Sequence, residues 1–161
     1  MALVTLALGS NLGDRADNLS RARQALAPDF QMDACSRVYE TEPAYLVDQP
    51  RYYNQVCQAT TSLAPVEALR RLKALELQLG RVPSVRFGPR LIDLDLLFYD
   101  EQVLDTPELV LPHPRMEERP FVLVPLAEIA PDRVHPRLRV PVSELLRRMG
   151  DTRDAIWPVA G

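Results

Sequence analysis

The order of apolar periodicities along this chain predicts an α+β fold, an antiparallel sheet with helices on one face and C-terminal additions. Three observations carry the prediction. Leu91 to Tyr99 contains nothing that breaks a strand. Pro65 to Leu79 places Leu69, Leu72, Leu75 and Leu79 at helical spacing. Strand and helix patterns alternate as β-α-β-β-α-β, the order of a two-layer sheet and helix arrangement.

Taken in turn, Leu3 to Leu8 reads as a first strand ended by Gly9. Asp14 is placed to cap a helix running to Ala27, with Leu12, Ala16, Leu19, Ala22 and Leu26 as its apolar stripe and Pro28 as its stop. Gln31 to Tyr39 reads as a second strand. Pro43 and Pro50 make Thr41 to Arg51 a loop, and Tyr53 to Ser62 reads as a third strand. In the second helix Pro65 suits the first turn and Gly80 the position just past the end. After the strand at Leu91–Tyr99 a return strand is expected near Gln102–Leu104. Beyond Leu109, Phe121–Ala130 reads as a short buried helix despite Pro125, and Pro141–Met149 as a surface helix closed by Gly150. The whole matches a ferredoxin-like βαββαβ core, and 161 residues suffice for one domain with a real core.

Composition is that of an ordinary globular protein, and a net charge of −3 argues against a broad nucleic-acid footprint. Lys73 is the only lysine. Cys35 and Cys57 form no CxxC pair and are expected to be reduced thiols in a cytoplasmic protein. The apolar N-terminus lacks a basic region and runs straight into Gly9-Ser10-Asn11, so a first strand fits better than a signal peptide. No apolar run approaches membrane-spanning length.

The segment Leu91–Tyr99 carries the chemistry. Residues two apart share a strand face. One face holds Ile92, Leu94, Leu96 and Phe98, which reads as core; the other holds Leu91, Asp93, Asp95, Leu97 and Tyr99. Asp is a poor strand former, and like charges on one face repel. Their Cα atoms would lie roughly 6.5–7 Å apart, a spacing from which carboxylates converge on a hard cation. Arg86 and Arg90, just upstream, are forked cations suited to phosphate oxygens. Acids for magnesium beside arginines for phosphate point to a nucleotide site. The plain alternative is a half-exposed strand with two solvated aspartates.

Several separate motifs then agree: Gly9-Ser10-Asn11, Tyr52-Tyr53-Asn54, Glu76 at a helix end, Arg86-x-Gly-Pro-Arg90-x-x-Asp93-Leu-Asp95, Pro112-His113-Pro114 and Arg119-Pro120-Phe121. Together they resemble the 6-hydroxymethyl-7,8-dihydropterin pyrophosphokinases of folate biosynthesis over essentially the whole chain. The resemblance implies transfer of pyrophosphate from ATP to the pterin hydroxymethyl group, releasing AMP. It implies two Mg²⁺ held by Asp93 and Asp95, with Arg81 and Arg90 completing the catalytic set. Glu76, Arg81, Phe87, Arg90, Pro112, His113 and Arg119 would serve ATP, Glu76 by orienting Arg81. Tyr52 and Phe121 would sandwich the pterin, Asn54 would read its amide edge, and Thr41, Pro43 and Ala44 would line the same pocket. Small-molecule substrates, a monomer, and neither nucleic acid nor membrane as partner complete the expectation. His135 has no such context and reads as structural.

The chain departs from the family in the Arg81–Pro89 loop. Phe87 stands where familiar members carry Trp, Pro83 where a basic residue is common, and the loop is one residue shorter. Two rivals share the fold: a regulatory or ligand-binding domain without catalysis, and an RNA-binding sheet. The first gives no reason for Asp93, Asp95, Arg90 and His113 to occur together. The second calls for a basic face, against the net charge.

Overall fold

The computed structural model describes residues 1–43, 48–80 and 89–159. Its elements run β1 (Ala2–Ser10), α1 (Arg15–Leu26), β2 (Gln31–Cys35), β3 (Tyr39–Thr41), β4 (Tyr52–Thr61), α2 (Pro65–Gln78), β5 (Asp93–Tyr99), β6 (Leu104–Asp105), β7 (Val110–Leu111), α3 (Pro120–Ile129), α4 (Val142–Met149) and β8 (Ile156–Pro158). The main sheet has the order β5-β1-β4-β3-β8, with β2 also on β4, and its paired strands are antiparallel. This is the expected α+β, ferredoxin-like arrangement.

Each face of the sheet has its own core. Val4, Leu6 and Leu8 of β1 point toward α1 and α2, where they meet Leu19, Ala22, Leu26, Leu72 and Leu75. The opposite face carries Val56 and Leu97 against Val122, Leu123 and Leu126 of α3 and Leu145 of α4. The C-terminal additions therefore cover the face that α1 and α2 leave bare, burying apolar surface that a two-helix layer alone would expose to water.

Both main helices start as their residue types dictate. The Asp14 carboxylate accepts the Asp17 N–H at 3.1 Å, satisfying one orphan donor of α1. The Glu67 carboxylate accepts the Ala64 N–H at 3.0 Å ahead of α2, the half of a capping box that an Ala cap permits. Gly80, at φ +103°, ends α2 in a conformation that L side chains rarely adopt.

Five details differ from expectation. Leu12 and Ala16 are exposed, so the buried stripe of α1 is Leu19, Ala22 and Leu26 beside Asn18. Gln31–Tyr39 is not one strand: Ser36 breaks it, its N–H donating to Val56 O at 2.9 Å and its hydroxyl accepting the Val56 N–H at 3.1 Å. The expected return strand forms a separate hairpin, β6 with β7, off the main sheet.

On β5 the register shifts where Thr5 faces Phe98 and Leu6 faces Leu96. This irregularity moves Phe98 to the α3 side and Tyr99 to the α1 and α2 side, reversing the assumed alternation beyond Leu97. Finally, Cys35 and Cys57 are cross-strand partners in the β2–β4 register and are joined as a disulfide, not separate thiols. No spacing in the sequence announces that pairing, because it follows from register.

Candidate active site

On β1 the residues facing away from α1 and α2 shrink along the strand: Thr5, Ala7, Gly9. The register sets Ala7 between Val56 and Asp95, and Gly9 between Asn54 and Asp93. Since directly opposed residues share a face, Asn54, Gly9 and Asp93 form a row across three strands. Over this end of the sheet α3 leaves a cavity of about 290 Å³. Its floor is Ala7, Gly9, Asn54, Asp93 and Asp95, and its walls include Thr41, Gln49, Tyr52, Arg90, His113, Arg119 and Phe121.

Gly9 is required here by close approach. A Cβ at this position would meet Asn54 Oδ1 at 2.7 Å, well inside van der Waals contact. Asn54 is 9% exposed, and its Nδ2 donates to Thr41 Oγ1 at 2.8 Å. That bond orients the amide, so one donor and one acceptor remain for a ligand edge.

Asp95 lies 3.7 Å from Lys73 Nζ, which reaches from α2 around β5, an edge strand. The same ammonium donates to Leu94 O at 3.2 Å and sits 3.5 Å from Glu76 Oε2. Glu76 is 3% exposed, and its Oε2 accepts the Leu94 N–H at 2.7 Å. A buried carboxylate in the last turn opposes the helix dipole; here a strand amide and a lysine answer it. Glu76 does not line the cavity. It fixes the stretch of β5 between the two aspartates.

His113 follows a cis Leu111–Pro112 bond, and its N–H donates to Leu97 O at 2.9 Å, which ties the Pro112–Pro114 segment to β5. Its Nδ1 lies 3.0 Å from Pro114 O. Burial pushes the imidazole below its ordinary pKa, and Arg119 adds to this while Asp95 opposes it. In the neutral ring Nδ1–H is the donor to Pro114, leaving Nε2 to face a ligand. The Arg119 guanidinium lies 5.7 Å from the Phe121 ring centre, a cation beside the aromatic wall.

Of the residues singled out from sequence, Asp93, Asp95, Arg90, Thr41, Tyr52, Asn54, His113, Arg119 and Phe121 converge on this cavity. Pro43 lines an adjoining one of about 270 Å³ that shares Thr41, Arg119 and Phe121. Pro112 is buried behind His113 and Glu76 beneath β5. Ala44, Arg81 and Phe87 lie outside the described residues. Sequence reasoning missed roles for Ala7, Gly9, Gln49 and Lys73. The tapering Thr5, Ala7, Gly9 series was the signal for the first two.

The model of the family described as 7,8-dihydro-6-hydroxymethylpterin-pyrophosphokinase (HPPK) matches residues 5–131. This chain belongs to that family.

HPPK membership makes it an enzyme of the ATP-dependent diphosphotransferase class. A 2-amino-4-hydroxy-6-hydroxymethyldihydropteridine pyrophosphokinase of Synechocystis is 43% identical over 155 residues, covering 95% of this chain and 78% of the relative. One from Aquifex aeolicus is 40% identical over 144 residues, covering 89% and 90%. The chain spans only 25% of a Pisum sativum folate synthesis bifunctional protein, at 43% identity over 127 residues and 78% of this chain. Among solved structures, Plasmodium falciparum HPPK-DHPS with pteroate superposes with a TM-score of 0.74 at 16% identity, over 91% of this chain and 42% of that one. At that identity the likeness speaks for the fold alone. The rivals without catalysis or with RNA are set aside by the family.

Proposed function

We propose that residues 1–161 act as one domain and as a monomer, transferring pyrophosphate from ATP to the hydroxymethyl group of 6-hydroxymethyl-7,8-dihydropterin. The pterin hydroxyl oxygen attacks the β-phosphorus, the bond from that phosphorus to the α-phosphate oxygen breaks, AMP leaves with that oxygen, and the hydroxyl proton passes to water. Such a transfer depends on positioning and charge neutralisation more than on covalent help. A cytoplasmic location belongs to the same proposal.

The observation that carries this reading is the row Asn54–Gly9–Asp93. Two inter-strand steps separate Asn54 from Asp93, roughly 9–10 Å. That is about the span of a fused two-ring heterocycle with a one-carbon arm. With Asn54 on the amide edge of the ring, the hydroxymethyl arm reaches the β5 carboxylates. Tyr52 and Phe121 supply the aromatic walls of the slot, and Thr41 holds the Asn54 amide. Pro43 extends the slot on the Thr41 side, and the family resemblance assigns Ala44 to the same pocket. Arg90, Arg119 and His113 receive the triphosphate, and the family resemblance adds Arg81 and Phe87 to the ATP-binding set.

The β5 carboxylates fit Mg²⁺. They are hard oxygen donors facing the cavity, and among the described residues no group of three His, Cys, Asp or Glu surrounds a point. One or two carboxylates are the protein donors that Mg²⁺ usually takes beside substrate phosphates. Asp93 and Asp95 would hold two such ions, which when bound neutralise the triphosphate charge. Lys73 and Glu76 keep the Asp95 segment in place.

The test is AMP formation dependent on the hydroxymethyl pterin, in wild type and in Asp93→Ala and Asp95→Ala. Losing several kcal/mol of transition-state stabilisation lowers turnover about a hundredfold or more, with the thermal melt little changed. Gel filtration should give the mass of one chain. Absence of pterin-dependent AMP from the wild type overturns the reading, and near-normal turnover in both variants overturns the metal role.

A further inference from the structure

Gln49 and Arg90 line the cavity from two separate segments of the chain, and a single buried side chain joins them. Asn11, just past β1, is 1% exposed and does not line the cavity. Its Oδ1 accepts the Arg90 N–H at 2.7 Å, and its own N–H donates to Arg90 O at 3.0 Å. Its Nδ2 donates to Gln49 Oε1 and to Pro50 O, each at 3.0 Å. Both Arg90 and Gln49 do line the cavity.

Asn is suited to this place because one planar amide presents an acceptor and two donors in fixed directions. Asp offers no donor, and Ala offers neither. The Asn11 end of each bond is buried, so leaving its amide without a partner costs more than losing a surface bond would. Around Asn11 the end of β1 is itself fastened, as Asn18 Nδ2 donates to Ser10 Oγ at 3.1 Å and to Leu12 O at 2.8 Å. The Arg90 backbone and the Gln49 side chain are thereby held in register with one another, because both are bonded to the same fixed amide.

We propose that Asn11 is a positioning residue that couples the nucleotide half of the site to the pterin half. The inference rests on the pyrophosphokinase reading above. ATP phosphates drawing on Arg90 set its backbone, Asn11 keeps its orientation, and Gln49 is held against the pterin side. Each substrate then tightens the other, as reciprocal coupling requires. No contact between Asn11 and either substrate is needed.

The experiment measures pterin affinity by isothermal titration, with and without a non-hydrolysable ATP analogue and Mg²⁺. Wild type, Asn11→Asp and Asn11→Ala are compared, each with a thermal melt. In wild type the analogue should tighten pterin binding by about 5- to 150-fold. Asn11→Asp keeps an acceptor for the Arg90 N–H and loses both donors toward Gln49 and Pro50. The tightening should fall below about twofold in both variants, while affinity for the analogue alone changes much less. A purely structural role would weaken both ligands or lower the melt and leave the ratio intact. If Asn11→Ala does not fold, Asn11→Asp and Gln49→Ala decide, since each cuts the same arm. An undiminished ratio in the variants, or no tightening in wild type, overturns the coupling role. A wild type that forms no pterin-dependent AMP overturns the proposed function instead, so the two failures are distinguishable.

Discussion

Gly9→Ala isolates the floor of the site from the stability of the fold. The added Cβ meets Asn54 Oδ1 at 2.7 Å, whereas Tyr52 Cδ1 at 3.6 Å is ordinary contact. The strand backbones are paired on both sides of Gly9, so the Asn54 side chain must yield. Moving it breaks the 2.8 Å bond to Thr41, a net loss of about 0.5–1.5 kcal/mol. Replacing a strand Gly by Ala returns about 0.5–1 kcal/mol of backbone entropy. The two nearly cancel, and the melting temperature should move by no more than about 2–4 °C.

Pterin recognition has no such offset. A misplaced amide forfeits buried hydrogen bonds worth about 1–3 kcal/mol. In kcat/KM for the pterin that is about 5- to 150-fold, with the ATP KM much less affected. The assay is steady-state AMP formation with each substrate varied in turn, beside a thermal melt. An unchanged pterin kcat/KM with a normal melt would refute the assignment of the Asn54 amide to the pterin edge. Equal losses toward both substrates would show that Gly9 serves the sheet and not the slot.

Two further outcomes are expected. Glu76→Ala leaves the Leu94 N–H buried without its carboxylate, which should cost about 1–3 kcal/mol and lower the melting temperature by about 2–4 °C per kcal/mol; Glu76→Gln keeps an acceptor and should restore most of it. Burial depresses the pKa of both His113 and His135. The unfolded chain therefore binds more protons between the folded values and 6.5, and stability should fall as pH drops through that window. His135→Gln should flatten, without abolishing, the difference between urea titrations at about pH 5 and about pH 7.5.

The order β-α-β-β-α-β was legible because periodicity and caps are local properties. In three of the five departures from the sequence reading the cause lies across the sheet. Ser36 breaks the second strand because it bonds to Val56 on the neighbouring strand, and the Cys35–Cys57 bond exists because register sets them opposite. The irregularity in the β1–β5 register reverses Phe98 and Tyr99. A pattern read along one strand holds no record of its partner's register.

The site divides along the same line. Asp93 and Asp95 declare themselves because they conflict with their own strand, and Glu76 because it conflicts with its own helix end. Such conflicts are visible without a structure. Gly9 conflicts with nothing in β1; its missing Cβ matters only because Asn54 occupies that space from another strand. Asn11 after a strand is an ordinary turn residue until Arg90, Gln49 and Pro50 are found around its amide. Residues that touch a ligand tend to violate local preference, since their chemistry is set by the ligand. Of the residues that position them, Glu76 still breaks its helix-end preference, whereas Gly9 and Asn11 obey local preference and owe their identity to a distant neighbour. The aspartates could therefore be named from sequence, whereas Gly9 and Asn11 required the fold.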